Sequence, residues 1–333
     1  MGSERPISTA SINDLFTTGA RQATLGEAVE AFLRTEMLGK SAATCDWYEK
    51  RLRPLADWLG VDRPLTGVLE GELFSWYEQL QYREQRYPGG KSRPEIAGRL
   101  ATDTLHGYVR ACKRFFKWLA RRGILAVDLS ADLKLPRLPR RSKKGVTDVD
   151  AAAILFEAKG NARDTAILRF LEATGARRGG VAELRLSDLN LEAAEQRHRR
   201  RVSVREKGDL ERTVLLTSTA LKALETWLLE RPEIDDDHVF LGKVKGGDWR
   251  PLSEAGVSAI LRRYKERLGI AGRVSPHQWR HRFCRKRLQE GMNLKEVSQL
   301  AGHASTVVTS LFYSDFDIDD LQDSYDRRVR DLE

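Results

Sequence analysis

Residues 199–216, Arg199-Arg200-Arg201-Val202-Ser203-Val204-Arg205-Glu206-Lys207-Gly208-Asp209-Leu210-Glu211-Arg212-Thr213-Val214-Leu215-Leu216, decide the fold class of the C-terminal half. Strand-like runs at about 199–205 and 212–216 flank Lys207-Gly208-Asp209-Leu210, a turn between two paired strands. A third strand-like stretch lies at about 184–191. Helical patterns surround these strands. Thr147-Asp148-Val149-Asp150 caps one helix, Asn161 to Thr174 makes the next and ends at Gly175, and others fall near 218–230, 253–268, 276–290, 294–301 and 305–313. A small three-stranded antiparallel sheet set among helices is an α+β arrangement rather than a doubly wound α/β one. The chain shows no internal repeat and no Gly-rich nucleotide loop.

Upstream, residues 24–123 read as helix throughout. Thr24-Leu25-Gly26-Glu27 is a capping-box pattern ahead of Ala28, Val29, Phe32 and Leu33. A second helix carries Trp47, Leu52, Leu55, Trp58 and Leu59 and stops at Gly60; a third opens near Thr66 and carries Leu69, Leu73, Trp76 and Leu80. Tyr87-Pro88-Gly89-Gly90 breaks the pattern. The fourth helix starts near Thr102, sets Leu105, Val109, Cys112, Phe116 and Leu119 on one side, and ends at Gly123. Its other side carries Arg110, Lys113, Arg114, Lys117 and Arg121 with almost no acidic residues among them, a stripe suited to DNA phosphates.

The stretch Lys134 to Gly145 carries Lys134, Arg137, Arg140, Arg141, Lys143 and Lys144, with Pro136 and Pro139 excluding regular structure. It reads as a basic strap joining two modules. The expected organisation is an N-terminal arm over 1–23, a mainly α domain over 24–133, a basic linker over 134–146, an α+β domain over 147–314 and an acidic tail over 315–333.

The chain has 333 residues, room for two cores, with 41% hydrophobic and 32% charged residues, as in globular proteins. The net charge is +9, unevenly placed. From Asp315 onward eight acidic residues face three arginines, so the tail carries −5 and residues 1–314 carry +14. A basic body of this kind favours a polyanionic partner, nucleic acid first. Cys45, Cys112 and Cys284 are odd in number and widely spaced, which argues against a disulfide framework or zinc site and fits a reducing cytoplasm. No apolar run reaches the roughly 18 residues that span a bilayer, and no secretory leader opens the sequence, so a cytoplasmic, nucleoid-associated location is expected.

Six residues carry chemistry. Arg177 follows the helix end at Gly175, and Arg280 stands one helical turn after His277. Two guanidiniums can each donate paired hydrogen bonds to non-bridging phosphate oxygens. Lys207, at the turn between strands, can protonate a leaving oxygen, and His277 and His303 can hold the phosphate or move a proton. Tyr313, ten residues beyond His303, is the preferred nucleophile; Tyr264 and Tyr325 compete with it. No metal-binding cluster accompanies the set, and neither metal nor other cofactor is expected.

The segments Thr174-Gly-Ala-Arg-Arg178, Leu184 to Leu189, Glu206 to Leu216, Ser275 to Phe283 and Leu300 to Tyr313 resemble the catalytic domain of the tyrosine recombinases, or phage integrase family. Residues 24–130 resemble, more loosely, the core-binding domain that precedes it. The resemblance implies a C-shaped clamp around DNA and a site of Arg177, Lys207, His277, Arg280 and His303 around the nucleophile Tyr313. It also implies a 3′-phosphotyrosyl intermediate, needing neither ATP nor divalent metal, and a homotetramer on a double-stranded DNA recombination site that exchanges strands through a Holliday junction. The family usually places Asp or Glu three residues beyond its first catalytic Arg, where this chain has Gly180; Glu183, one helical turn on, is the expected substitute. The tail carries Ile318, Leu321, Tyr325, Val329 and Leu332 at helical spacing and is expected to dock in a neighbouring subunit. Two rival readings are a type IB topoisomerase, which shares the chemistry, and a catalytically weak DNA-binding regulator, which Gly180 would suit.

Overall fold

The computed structural model describes residues 23–86, 96–138, 145–193, 200–206, 210–244, 246–303 and 306–310, with 322 and 326. The chain divides into two compact units, residues 1–140 and 141–333. The expected N-terminal arm, and all of the acidic tail but residues 322 and 326, lie outside the described residues. Among the described residues, no helix is long and apolar enough to cross a membrane.

The first unit is built on α1 (Leu25–Thr35), α2 (Ala42–Leu59), α3 (Glu70–Tyr82) and α4 (Thr102–Arg121). Thr24 opens α1 with the anticipated capping box: its hydroxyl accepts from the Glu27 amide at 3.3 Å, and the Glu27 carboxylate accepts from the Thr24 amide at 2.9 Å. A Cβ on Gly26 would stand 2.6 Å from the Val61 side chain, so glycine lets the chain beyond α2 lie against α1. Helix α3 begins at Glu70, not near Thr66. Leu65–Gly67 form a single 3₁₀ turn, and the Glu72 carboxylate accepts from the Leu69 amide at 2.9 Å, which fixes the helix start there. Phe32 meets Tyr48, Phe115 and Trp118 edge-on at centroid distances of 5.7, 5.7 and 5.5 Å, fastening α1 to α2 and α4. Such ring pairs add about 0.5–1.5 kcal/mol each beyond the area they bury. A two-residue antiparallel ladder, β1 (Gln85–Arg86) with β2 (Ile96–Ala97), closes the loop after α3; the break at Tyr87 to Gly90 lies outside the described residues.

The second unit runs α5 (Asp148–Glu157), α6 (Ala162–Thr174), α7 (Arg178–Ala182), β3 (Arg201–Glu206), β4 (Leu210–Leu215), α8 (Ser218–Glu230), β5 (Leu241–Lys243), β6 (Trp249–Pro251), α9 (Glu254–Arg267), α10 (Pro276–Gln289), α11 (Leu294–Ala301) and α12 (Thr306–Ser310). Helix α6 is its central rod: Ile167, Leu168, Phe170 and Leu171 are buried beneath α8 residues Leu221, Leu224 and Trp227 and beside Phe240. Strands β3 and β4 pair from Arg201↔Leu215 to Glu206↔Leu210; the expected turn at 207–209 lies outside the described residues. The stretch at 184–191 contributes less strand than expected. The Asp188 carboxylate accepts from the Arg185 amide at 2.9 Å and folds Leu186–Asp188 into a 3₁₀ turn, leaving two isolated bridges, Arg185↔His238 and, beside β3, Leu189↔Val202. The β5–β6 ladder, paired from Leu241↔Pro251, was not anticipated. The architecture is mainly helical with small antiparallel ladders.

Asp164 is wholly buried at the first turn of α6. It accepts from Arg163 at 2.9 Å and from the Tyr264 hydroxyl at 3.0 Å, and pairs with Arg263. A buried carboxylate is tolerable only when so fully bonded, and here the bonding pins α9 to α6.

Candidate active site

Helix α6 ends at Gly175 in the left-handed region, φ +57°, and an added Cβ there would also lie 2.6 Å from the Phe283 ring, so two constraints select glycine. The chain then leaves the helix axis. The Ala176 amide donates to the Thr174 hydroxyl at 3.1 Å, and Arg177 follows in extended conformation as the N-cap of α7. That bend aims Arg177 back across the end of α6. His277 occupies the second position of α10, behind an N-cap at Ser275 and Pro276 in the first turn. One turn on, Arg280 is buried to 3% exposure. Arg177, His277 and Arg280, with Arg178, Ser258, Ser275 and Pro276, line one cavity of about 300 Å³.

The guanidiniums converge on the end of α11. Arg280 donates through Nη1 to the Gly175 carbonyl at 2.9 Å and through Nη2 to the Ala301 carbonyl. Arg177 Nη2 donates to the Gly302 carbonyl at 3.2 Å. Arg212, from β4, donates through Nη1 to the Leu300 carbonyl. Three consecutive carbonyls at one helix C-terminus thus each receive an arginine. This end of the helix carries the partial negative charge of the helix dipole, which offsets part of the cost of gathering three cations. Burial pushes Arg280 down to about 9, helped by the neighbouring Arg177 and Arg212. Burial likewise pushes Arg212 down to about 10, and burial with the Arg212 charge lowers Arg177. All three stay cationic near neutrality, packed so that an anion would relieve their mutual repulsion.

His303 follows immediately. Gly302, φ +65°, terminates α11, and the His303 amide donates to the Ser298 carbonyl at 3.0 Å. The His303 Nδ1 lies 2.7 Å from the hydroxyl of fully buried Thr309 on α12, which orients the ring. Four of the six anticipated residues, Arg177, His277, Arg280 and His303, are therefore gathered around the α6, α10 and α11 ends. Lys207 and Tyr313 lie outside the described residues. Tyr264, a rival nucleophile, has its hydroxyl held by Asp164, and burial raises its pKa. Tyr325 lies outside the described residues.

Gly180 is buried in α7, and Glu183 caps the opposite end of that helix from Arg177 and is exposed, its carboxylate 3.8 Å from the His238 Nε2. The acid at the start of α7 is Glu254 of α9, 2.6 Å from Arg178 and beside Gly179. Sequence reasoning also passed over Arg212 and over His281, whose Nε2 stands 3.0 Å from the Nε2 of His277.

The basic side of α4 is more varied than its sequence implies. Lys113 points inward to the carbonyls of Ser130, Ala131 and Leu133 at 2.6, 2.9 and 2.8 Å, and so is a structural residue. Arg114 and Arg121 share Glu36 from the end of α1, at 3.0 and 3.2 Å. Arg110 and Lys117 are exposed on α4, as are Lys134 and Arg137 beyond it; Arg140, Arg141, Lys143 and Lys144 lie outside the described residues.

Comparison with known proteins agrees with this geometry. The Phage integrase family model matches residues 146–317. Tyrosine recombinase XerC of Xylella fastidiosa (strain 9a5c) is 30% identical over 301 residues, covering 89% of this chain and 93% of the relative. The fold is shared with the XerH site-specific recombinase bound to a palindromic difH substrate in a post-cleavage complex: 18% identity, TM-score 0.65, 97% of this chain and 90% of that one. It is shared too with a lambda integrase tetramer bound to a Holliday junction: 16% identity, TM-score 0.65, 94% and 82% coverage. With its guanidinium cluster and paired histidines on the segment that the family model covers, this chain belongs to the phage integrase family of tyrosine recombinases.

Proposed function

We propose that the chain is a site-specific DNA recombinase in which Tyr313 is the nucleophile and Arg177, Lys207, His277, Arg280 and His303 serve it. The Tyr313 hydroxyl passes its proton to His277 or His303, and its oxygen bonds to the scissile phosphorus as the bond from phosphorus to the 5′-oxygen breaks. Lys207 delivers a proton to that oxygen, leaving a 3′-phosphotyrosyl link and a free 5′-hydroxyl. The 5′-hydroxyl of a partner strand then reverses the step, so the phosphodiester energy is kept throughout. Arg177 and Arg280 hold the non-bridging oxygens, where charge develops, and His277 and His303 complete the ring of donors. The observation that carries this reading is the common cavity of Arg177, His277 and Arg280, with Arg177 bonded to the residue preceding His303.

The partner is double-stranded DNA. Arg110, Arg114, Lys117 and Arg121 of α4 with Lys134, Arg137, Arg140, Arg141, Lys143 and Lys144 are the residues assigned to its phosphates, Lys113 being withdrawn. Four protomers assemble on two duplexes from a free monomer or weak oligomer, each lending its acidic tail to a neighbour; the tail's apolar spacing supports this. The deciding experiment uses a nicked suicide duplex bearing a site the protein selects from a random library. Wild type forms a denaturant-resistant adduct, and Tyr313→Phe binds the duplex without forming one. An adduct from Tyr313→Phe removes this nucleophile.

A further inference from the structure

We infer that Arg212 is a positioning residue for strand cleavage: it ties the β3–β4 hairpin to the end of α11 and thereby sets where His303 stands against the Arg177–Arg280 clamp. The inference rests on the recombinase reading of the same site. Its ground is the sequence of acceptors. Leu300, Ala301 and Gly302 present successive carbonyls to Arg212, Arg280 and Arg177, and the next residue is His303. The carbonyls of a helix's last turn have no partner within the helix, so whatever bonds them fixes the path of the chain that leaves it. Two of the three bonds come from residues of the proposed clamp. The third comes from Arg212 alone.

Its origin is equally informative. Arg212 pairs with Val204 across the hairpin, on the face shared with the buried Val202 and Val214. The strand therefore turns a cation inward at the one place where three carbonyls await. Burial and the neighbouring charges make this unfavourable unless the bond to Leu300 compensates. Lysine keeps the charge but not the planar guanidinium that reaches the Leu300 carbonyl through Nη1.

The test compares wild type, Arg212→Met and Arg212→Lys in single-turnover cleavage of the nicked suicide duplex, with DNA affinity measured in parallel. Each substrate is made twice, with oxygen and with sulfur at the bridging 5′ position; sulfur leaves without needing a proton. Arg212→Met is expected to cleave at least 10-fold more slowly at full final yield, with DNA affinity within threefold of wild type and the same defect on both substrates. Arg212→Lys, which keeps the charge and is the gentler change to folding, is expected to recover only part of the rate. Cleavage within threefold of wild type by either variant overturns the inference. So does an affinity loss equal to the rate loss, which would make Arg212 a DNA contact. So does a defect that disappears with sulfur, which would place its effect on proton delivery by Lys207. If wild type itself forms no adduct, the recombinase reading falls as well; if wild type reacts and the variants match it, only this inference falls.

Discussion

The Nε2 atoms of His277 and His281 lie 3.0 Å apart, with ring centroids at 4.2 Å and the planes inclined by 61°. Two ring nitrogens at that distance share one hydrogen, so one must donate and the other accept. The exposed ring lines the cavity, and the buried ring, one turn further along α10, is a hydrogen-bonding partner that holds its orientation. His281→Phe removes this partner while keeping the volume. Single-turnover cleavage is expected to fall by about 5- to 10-fold, the range in which one neutral hydrogen bond of about 1 kcal/mol acts, with DNA affinity unchanged. An unaltered cleavage rate would show that His277 needs no such support.

The arginine cluster predicts a pH-dependent anion response. Arg280, pushed down to about 9 chiefly by burial, keeps its charge below that value and loses it above. An oxyanion in the clamp favours the charged form, so binding is complete at pH 7 and weakens as pH rises through about 9. Inorganic phosphate at saturating concentration is expected to raise the melting temperature by about 2–4 °C at pH 7. The increment should shrink between pH 8.5 and 10 and be absent in Arg280→Met at every pH. Differential scanning fluorimetry reads both effects, and an equal increment in Arg280→Met would place the anion elsewhere.

On α4 two neighbouring lysines should separate stability from DNA binding. Lys113 bonds three carbonyls, so Lys113→Met leaves a cluster of acceptors without their cation and is expected to destabilise the first unit by about 1–3 kcal/mol. Lys117→Gln changes an exposed side chain, leaves stability within about 0.5 kcal/mol, and lowers the slope of log affinity against log salt by about 1. Urea unfolding and salt-dependent anisotropy check the pair. The reverse pattern would exchange their roles.

Those two lysines also mark how far the sequence could be read. Periodicity placed both on the non-core side of α4, because spacing reports a face and not a partner. The acceptors of Lys113 lie 17 to 20 residues downstream, and the Glu36 that takes Arg114 and Arg121 lies 78 and 85 residues upstream, so only the fold brings them together. Helix starts and stops were legible where a local bond makes them, as at Thr24, Thr147, Asn161 and Gly175. The strand at 184–191 was not, because Asp188 captures the Arg185 amide and turns the chain. Four site residues were named from motif spacing and are found together. Arg212 was missed although a signal existed: Val214 and Leu216 set an inward period of two, and that period places a charged residue on the buried face. A substitute for the acid missing at Gly180 was sought along the same helix at Glu183; the acid at the start of α7 arrives from α9.

Tyr264 offers the last separation, between a phenol that holds the fold and one assigned to the reaction. Its hydroxyl donates to Asp164 at 3.0 Å, and burial, with the Asp164 charge next, raises its pKa, so it is poorly placed to become a phenolate. Removing that hydroxyl leaves Asp164 still bonded to Arg163 and paired with Arg263, which limits the damage. Tyr264→Phe is expected to lose about 1–2 kcal/mol of stability while forming the covalent DNA adduct at a rate within twofold of wild type. Peptide mapping of the adduct should find the nucleotide on the fragment containing Tyr313 in both proteins. If Tyr264→Phe is stable yet forms no adduct, the phenol on α9 must be reached by DNA, and the arrangement of Asp164 and Tyr264 would have to open before cleavage.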